Sequence, residues 1–331
     1  MPNLPKPRIG RRSARSRVAP TPPEPQEARA EIVEAPGLRW IHIERPRPAD
    51  QAWLEERFDF HALDYEDVFS RNQRPKVDEY DEYLFIVLHF PRYDKKVARL
   101  NAAELDLFVG PDYLITLQNE PLQAVEYLFE RCRSSEELRD SVFSKGPGYL
   151  LYKIVDDCVD ASFPMLRKMG NKLERIEEEI FEGRAQEVVR DISNAKQEII
   201  NFRKIIRPQR PVLRDLERTK QRYLREDMEL YFDDVQDASE RIWDMLENYK
   251  EVIEALEGTN ESVISHRQND SLRLLAAVTM VITPLTLVAS IWGMNVDVPG
   301  EGSQSAFWVI IGGLLVLLAG LVYLFRRRGW L

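Results

Sequence analysis

The chain has 331 residues, with 55 acidic against 46 basic side chains and a net charge of −9. About 270 residues precede the first membrane-length apolar run, enough for one or two domains with a real core. Because arginines gather at both ends, the middle is more acidic than the total, which disfavours nucleic acid as a partner and suits divalent cations. Cys132 and Cys158 have no CxxC spacing, which argues against a disulfide framework and fits a reducing compartment. His42, His61, His89 and His266 lack metal-site spacing such as HExxH, so a zinc hydrolase is not expected.

Residues 1–36 hold many of the prolines together with Lys6, Arg8, Arg11, Arg12, Arg15 and Arg17, and read as a disordered basic tail. A functional reading docks this tail onto anionic lipid headgroups. Its prolines oppose the amphipathic helix of an organellar presequence, and no apolar h-region marks a cleavable signal. Residues 37–147 read as an α/β domain. Leu38–Ile43 alternates like a strand, 83–88, 106–109 and 112–117 are short apolar runs, and Trp53–Phe69 reads as helix.

Strand signals stop after Gly148, and residues 148–271 read as a helical region and stalk. Tyr149–Gly183 is one helical run, and Gln186–Ile206 is a second, closed by Pro208 and Pro211, with a third from near Val212. From Asp234 the apolar positions Val235, Ile242, Met245, Tyr249, Val252, Leu256 and Val263 recur every three or four residues and run on towards Ile291.

Two apolar segments close the sequence, a first span at 272–292 and a second at 306–325, joined by an outer loop at 293–305. Each is long enough to cross a hydrocarbon layer of about 30 Å as a helix. Arg267, Arg273 and Arg326-Arg327-Arg328 flank one end of this hairpin, 326–331 being a basic tail, whereas the loop carries only Asp297 and Glu301. The expected topology is therefore a multi-pass protein of the plasma (inner) membrane with both termini cytoplasmic. Trp292, Trp308 and Trp330 fall where interfacial aromatics are expected. Within the first span Thr279, Thr283, Thr286 and Ser290 share one helical face, which continues back through Ala276 and Leu272 to Asn269. Such a face serves helix packing, or it forms a pore wall of uncharged oxygens; one helix per chain cannot enclose a pore, so the second reading needs several subunits.

Gly293-Met294-Asn295 after Ile291-Trp292, Pro284-Leu285-Thr286, Arg326-Arg327-Arg328 with Gly329-Trp330-Leu331, and Gln73-Arg74-Pro75-Lys76-Val77-Asp78 followed by Tyr83–Leu88 resemble the signatures of the CorA metal ion transporters. The resemblance spans about Leu38 to Leu331. It implies an α+β cytoplasmic domain with long stalk helices and a two-helix C-terminal transmembrane hairpin, assembled as a funnel-shaped homopentamer in the lipid bilayer. It implies a divalent-cation channel for Mg²⁺, with Co²⁺ and Ni²⁺ as further ions, gated by intracellular Mg²⁺.

Carried onto this sequence, the resemblance makes Asn295 the ring that meets the hydrated cation, with Gly293 turning the backbone and Met294 packing behind. A neutral amide suits Mg²⁺, which loses water reluctantly. Thr279, Thr283, Thr286 and Ser290 then face the pore, Asn269 forms a polar ring near the cytoplasmic end, and Leu272 and Leu275 form a hydrophobic constriction. Tyr65-Glu66-Asp67 and Asp233-Asp234-Val235 match the segments that supply regulatory carboxylates, which selects Glu66, Asp67 and Asp234. Asp156, Asp157 and Asp160 have no such match and read as surface.

The outer loop, Val296-Asp297-Val298-Pro299-Gly300-Glu301-Gly302, departs from the family pattern and resembles the Gly- and Pro-rich loops of the Zn²⁺-transporting ZntB branch. Thr283 stands where larger members often carry Met. A ZntB-like Zn²⁺ transporter is thus the close alternative. From a different class comes a membrane-anchored scaffold without flux. An enzyme is not expected, because no nucleophile–base pair, phosphate-binding glycine loop or catalytic metal motif is present.

Overall fold

A computed structural model describes residues 28–70, 73–94, 99–219, 228–294 and 303–328. Its head is built on a six-stranded sheet of β1 (Glu31–Ala35), β2 (Leu38–Glu44), β3 (Lys76–Glu79), β4 (Leu84–Asp94), β5 (Arg99–Val109) and β6 (Tyr113–Gln118). The spatial order is β1-β2-β6-β5-β4-β3, with only the β2–β6 pair parallel. Alternation explains why β4 is apolar without a break. Leu84, Ile86, Leu88 and Phe90 enter one core, while Phe85 and Val87 enter the other. The second core is roofed by α1 (Pro48–Glu55) and α2 (Ala62–Phe69). The first is covered by α3 (Gln123–Ser134), α4 (Glu136–Phe143), α5 (Pro147–Asp160), α6 (Ser162–Glu179) and α7 (Val189–Arg218), together with the head portion of α8 (Glu229–Trp292). The last element is α9 (Gln304–Arg327).

Three expectations are corrected. Strand β1 lies inside the stretch read as a tail, because its backbone pairs with β2 from Glu31 to Ala35; residues 1–27 lie outside the described residues. Trp53–Phe69 is not one helix. Phe60 stacks on Phe108 at 4.1 Å and Phe58 packs on Tyr113 at 4.9 Å, so the chain is drawn down onto the sheet between α1 and α2. Pro208 and Pro211 do not close a helix, since α7 runs through both to Arg218. Both prolines sit on its exposed face, where the carbonyls freed at Lys204 and Arg207 meet water. The opposite face is buried through Phe202, Ile205, Ile206, Val212, Leu213 and Leu216. That burial outweighs a proline cost of about 3 kcal/mol each.

Tyr149–Gly183 is helical but divided at Ala161 into α5 and α6, and a π-type turn at Ile180–Arg184 ends it. Helix α8 begins earlier than the periodicity suggested and continues unbroken through Pro284 to Trp292, a rod of about 95 Å. Its head portion buries Phe232, Val235, Ala238, Ile242, Leu246, Ile253 and Leu256, and Tyr249 closes over Gly170 of α6, where an added Cβ would sit 2.9 Å from the tyrosine hydroxyl. Beyond that, α8 and α9 form two helices long and apolar enough to cross a membrane, with most of their large apolar side chains exposed. Such a surface is not sustained in water.

One buried histidine makes the head sensitive to acid. His42 lies 4% exposed between β6 and α3, with Nδ1 2.8 Å from Thr116 Oγ1 and its ring 5.0 Å from that of Phe129. Burial lowers its pKa from 6.5 to about 4. The folded state therefore holds this imidazole neutral while the unfolded chain binds a proton below pH 6.5. Its contribution is full above that value and is lost as pH falls towards 4, on the order of 3 kcal/mol. Urea midpoints of the head measured from pH 7.5 to 4.5 should fall in this window, and a His42→Gln variant should show a shallower fall.

Candidate functional site

The two ends of the apolar hairpin differ in chemistry. Trp292 closes α8 and Trp308 lies in the first turns of α9, so both are at one end. Arg273, Arg326, Arg327 and Arg328 are exposed at the other. Helix α9 starts on a serine cap, with Ser303 Oγ accepting from the Ala306 amide at 3.5 Å. It packs on α8 through a face marked by Ala277, which is fully buried, and by the half-buried Val281, Pro284 and Val288.

The hydroxyl stripe is on the other side. At about 100° per residue, Thr279, Thr283, Thr286 and Ser290 are centred roughly half a turn from the Ala277–Val288 face. All four are exposed in the single chain. Each threonine donates its proton to a carbonyl one turn back: Thr279 to Leu275 at 2.8 Å, Thr283 to Thr279 at 2.7 Å and Thr286 to Ile282 at 3.0 Å. The proton is turned into the helix, so the oxygen lone pairs point outward as acceptors. Asn269, Leu272 and Leu275 continue this face towards the head and are also exposed.

Gly293 caps α8, its amide donating to Ala289 O at 3.0 Å and Ser290 O at 3.2 Å. Its φ of −88° is open to any residue. What glycine supplies here is closeness, since a Cβ would sit 3.2 Å from the Ala289 carbonyl oxygen. Met294 is 59% exposed. Asn295, Asp297, Glu301 and Trp330 lie outside the described residues. Gly312, Gly313 and Gly320 have open space where a Cβ would stand, so they do not serve close packing against α8 of the same chain.

The acidic residues selected from the sequence lie on separate elements. Glu66 and Asp67 are on α2, beside a groove of about 550 Å³ that Asp64, Lys76, Asp78, Glu79 and Tyr80 also line. Asp64 is consumed structurally, accepting from Tyr83 Oη at 2.7 Å and Tyr80 Oη at 3.0 Å. Asp67 pairs with Lys76 at 2.7 Å. Asp234 is exposed in the first turns of α8, and its charge acts on the Tyr152 hydroxyl of α5 together with that of Asp156. Among the described residues no three His, Cys, Asp or Glu side chains come together as a metal site. Each chain offers hard carboxylate oxygens on two separate faces, which suits a hard divalent ion only if a second copy completes the set.

The chain was compared with known families, relatives and solved structures. Residues 36–327 match the family described as CorA-like Mg²⁺ transporter protein. The chain belongs to that family.

Among relatives, it is 29% identical over 294 residues to the cobalt/magnesium transport protein CorA of Thermotoga maritima, covering 88% of this chain and 83% of that one. The CorA protein of Methanocaldococcus jannaschii is 25% identical over 303 residues, covering 89% and 92%. In fold, the complete structure of the M. jannaschii CorA magnesium transporter superposes with a TM-score of 0.78 at 22% identity, covering 90% of this chain and 93% of that one. Membership in the CorA-like family makes this chain a divalent-cation transporter rather than an enzyme.

Sequence reasoning missed three residues that the CorA-like head brings into play. Lys76 was only part of a motif, and Asp106 was one more acid in an apolar run. Asp156, read as surface, acts on the same hydroxyl as Asp234 and is half-buried beside Lys153 at 3.1 Å. A fourth feature sits just inside the membrane end of the stalk. The turn after α6 ends on Gly183 with φ +100°, and the Arg267 guanidinium of α8 donates to the Gly183 carbonyl. An added Cβ would lie 2.6 Å from Arg267 Nη2, so Gly183→Ala should cost about 1–3 kcal/mol in backbone strain and displace the arginine. Hydrogen exchange at residues 180–188 should quicken in Gly183→Ala and in Arg267→Ala. The double variant should add little to Gly183→Ala, because the clamp is already open.

Proposed function

We propose that the chain forms a homopentameric channel that passes Mg²⁺, with Co²⁺ and Ni²⁺ as further ions, down its electrochemical gradient into the cytoplasm. The observation that carries this reading is the direction of the hydroxyl stripe. Thr279, Thr283, Thr286 and Ser290 turn away from α9, and the three threonines offer acceptor oxygens with their protons tied to the helix. Copies arranged around an axis would bring these oxygens into one wall and leave α9 outside against lipid. A wall of neutral acceptors holds the water shell of a divalent ion without binding the ion itself, which suits a cation that dehydrates slowly.

In this arrangement Asn295 forms the outer ring, with Asp297 and Glu301 attracting cations to it. Leu272 and Leu275 narrow the inner end, where a ring of exposed leucines closes the path by excluding water. Asn269 adds a polar ring beyond them. The arginines at the opposite end from Trp292 and Trp308 support placing the head in the cytoplasm and the loop outside. Glu66 and Asp67 of one subunit and Asp234 of the next are the carboxylates through which intracellular Mg²⁺ holds the closed state. Without the ion these carboxylates repel across the interface, and with it they are bridged.

The test is Mg²⁺ uptake by purified protein in indicator-loaded liposomes. Uptake should fall at least about tenfold in Asn295→Ala, a barrier change of about 1.4 kcal/mol or more. Hexaamminecobalt(III), a rigid mimic of hydrated Mg²⁺, should block the wild type. Thr283→Val, which removes one acceptor ring while keeping the shape, should slow uptake without abolishing it. Zn²⁺ entry that depends on a pH gradient, with no Mg²⁺ flux, would move the chain to the ZntB-like reading. No flux of any divalent ion would leave the hairpin as an anchor.

A further inference from the structure

The acidic groove beside α2 already contains a cation, and it belongs to the protein. Lys76 opens β3, and its side chain leaves on the sheet face roofed by α2. Its Nζ lies 2.7 Å from Asp67 Oδ2, hydrogen-bonds Asp78, and stands 5.0 Å from the centre of the Phe85 ring. Two carboxylates and an aromatic face thus hold the ammonium from three sides, with 32% of the side chain exposed. Burial alone would lower its pKa, but the bonds to Asp67 and Asp78 outweigh that and raise it, so the charge is kept.

Beneath it lies a second, independent anomaly. Lys76, Val87 and Asp106 are cross-strand neighbours in one row, so their side chains leave on the same face. Asp106 is 1% exposed, and neither carboxylate oxygen has a hydrogen-bond partner. Its surroundings include the charges of Glu104, Asp67 and Lys76. Glu104, by contrast, is satisfied by the Gln73 amide at 3.2 Å, Asn119 Nδ2 at 2.7 Å and the His89 ring at 3.3 Å. A buried, unpaired acid normally carries a substantial penalty, and here it shares a cross-strand row with Lys76, the one lysine among the described residues that line the groove.

Resting on the reading of Asp67 as a regulatory ligand, we propose that Lys76 is a tethered counter-cation that occupies Asp67 when no divalent ion is bound, so that an incoming ion has to displace it. A divalent ion wins Asp67 by its second charge and by the partner subunit's carboxylate. The ammonium need not leave the groove, because Asp78 keeps it and the Asp106 oxygens lie on the same face. A lysine suits this exchange better than an arginine, since it is a compact, strongly hydrated point charge on a flexible stem rather than a planar fork. The Mg²⁺ concentration to which the head responds is then set by Lys76 as well as by the acids.

The experiment uses the full chain in lipid nanodiscs and follows hydrogen exchange of α2 and β3 while Mg²⁺ is titrated. This readout is independent of transport. In Lys76→Met the half-protection concentration should drop about tenfold, because Asp67 is freed of its competitor. In Lys76→Arg, which retains the charge, it should stay at or above the wild-type value. Asp67→Asn should abolish protection in both the wild-type and the Lys76→Met background. An unchanged or raised midpoint in Lys76→Met, with an unfolding midpoint near wild type, overturns the role of Lys76 while the loss of response in Asp67→Asn keeps Asp67 as ligand. A response that survives Asp67→Asn overturns the regulatory reading itself. Should Lys76→Met unfold, Lys76→Gln provides the same comparison, keeping a polar head without the charge.

Discussion

Everything beyond the head depends on α8 being one helix. Its first turns carry Asp234 and meet α5, its head portion packs on α6 and α7, and its last turns carry the hydroxyl stripe. A break anywhere along it would let head and hairpin move separately, but the helix continues through Pro284, which forgoes only the one bond its missing N–H would make to the Met280 carbonyl. The contact with α7 has an apolar stripe at its centre and ion pairs at its rim. Lys196 pairs with Glu257 at 2.6 Å, Arg203 with Glu247, and Arg210 with Glu240, while both arginines also lie over the Trp243 ring. Each rim pair contributes at most about 1 kcal/mol where water reaches it. Their role is to fix how far α8 is turned about its own axis.

The same continuity explains why the turn after α6 is built with such care. Gly183 takes a backbone conformation that other residues rarely adopt, and its carbonyl receives Arg267 from the point where α8 leaves the head. Below that point α8 is embraced by neighbours. Above it, most of its large apolar side chains are exposed, and α9 packs on it. The clamp therefore sits at the boundary between a part of the rod whose position is dictated by packing within the head and a part whose apolar surface is left for lipid.

What could be read from the sequence follows from how local each signal is. The α8 periodicity and the two spans were legible because each depends on residues a few positions apart. The course of α7 through Pro208 and Pro211 was not, since the proline rule is local while the burial of Phe202, Leu213 and their neighbours is tertiary. Strand β1 was hidden by its proline-rich surroundings, as its partner β2 supplies the reason for it to be a strand. Lys76 and Asp106 are thirty residues apart and meet only through the register of β3, β4 and β5. Asp67 was selected by resemblance to a family and not by spacing, and within the single chain its partner is Lys76, nine residues on and on another element.

In the proposed pore, the threonine stripe is where local chemistry constrains what can pass. A free hydroxyl is both donor and acceptor and would greet a cation or an anion alike. Once its proton is given to the carbonyl one turn back, as in Thr279, Thr283 and Thr286, only acceptor capacity remains on the outer side. The helix thereby converts an ambivalent side chain into a cation-facing one without introducing a charge. A carboxylate at the same positions would also attract cations, but across the low-dielectric layer it would bind a divalent ion strongly enough to hold it. Neutral oxygens that meet the ion's own water avoid both the cost of burying a charge and the trap of a deep site. In that reading the fixed charges stay outside the hydrocarbon, with Arg273 and Arg326–Arg328 flanking the apolar segments in the sequence and Asp297 and Glu301 falling between them.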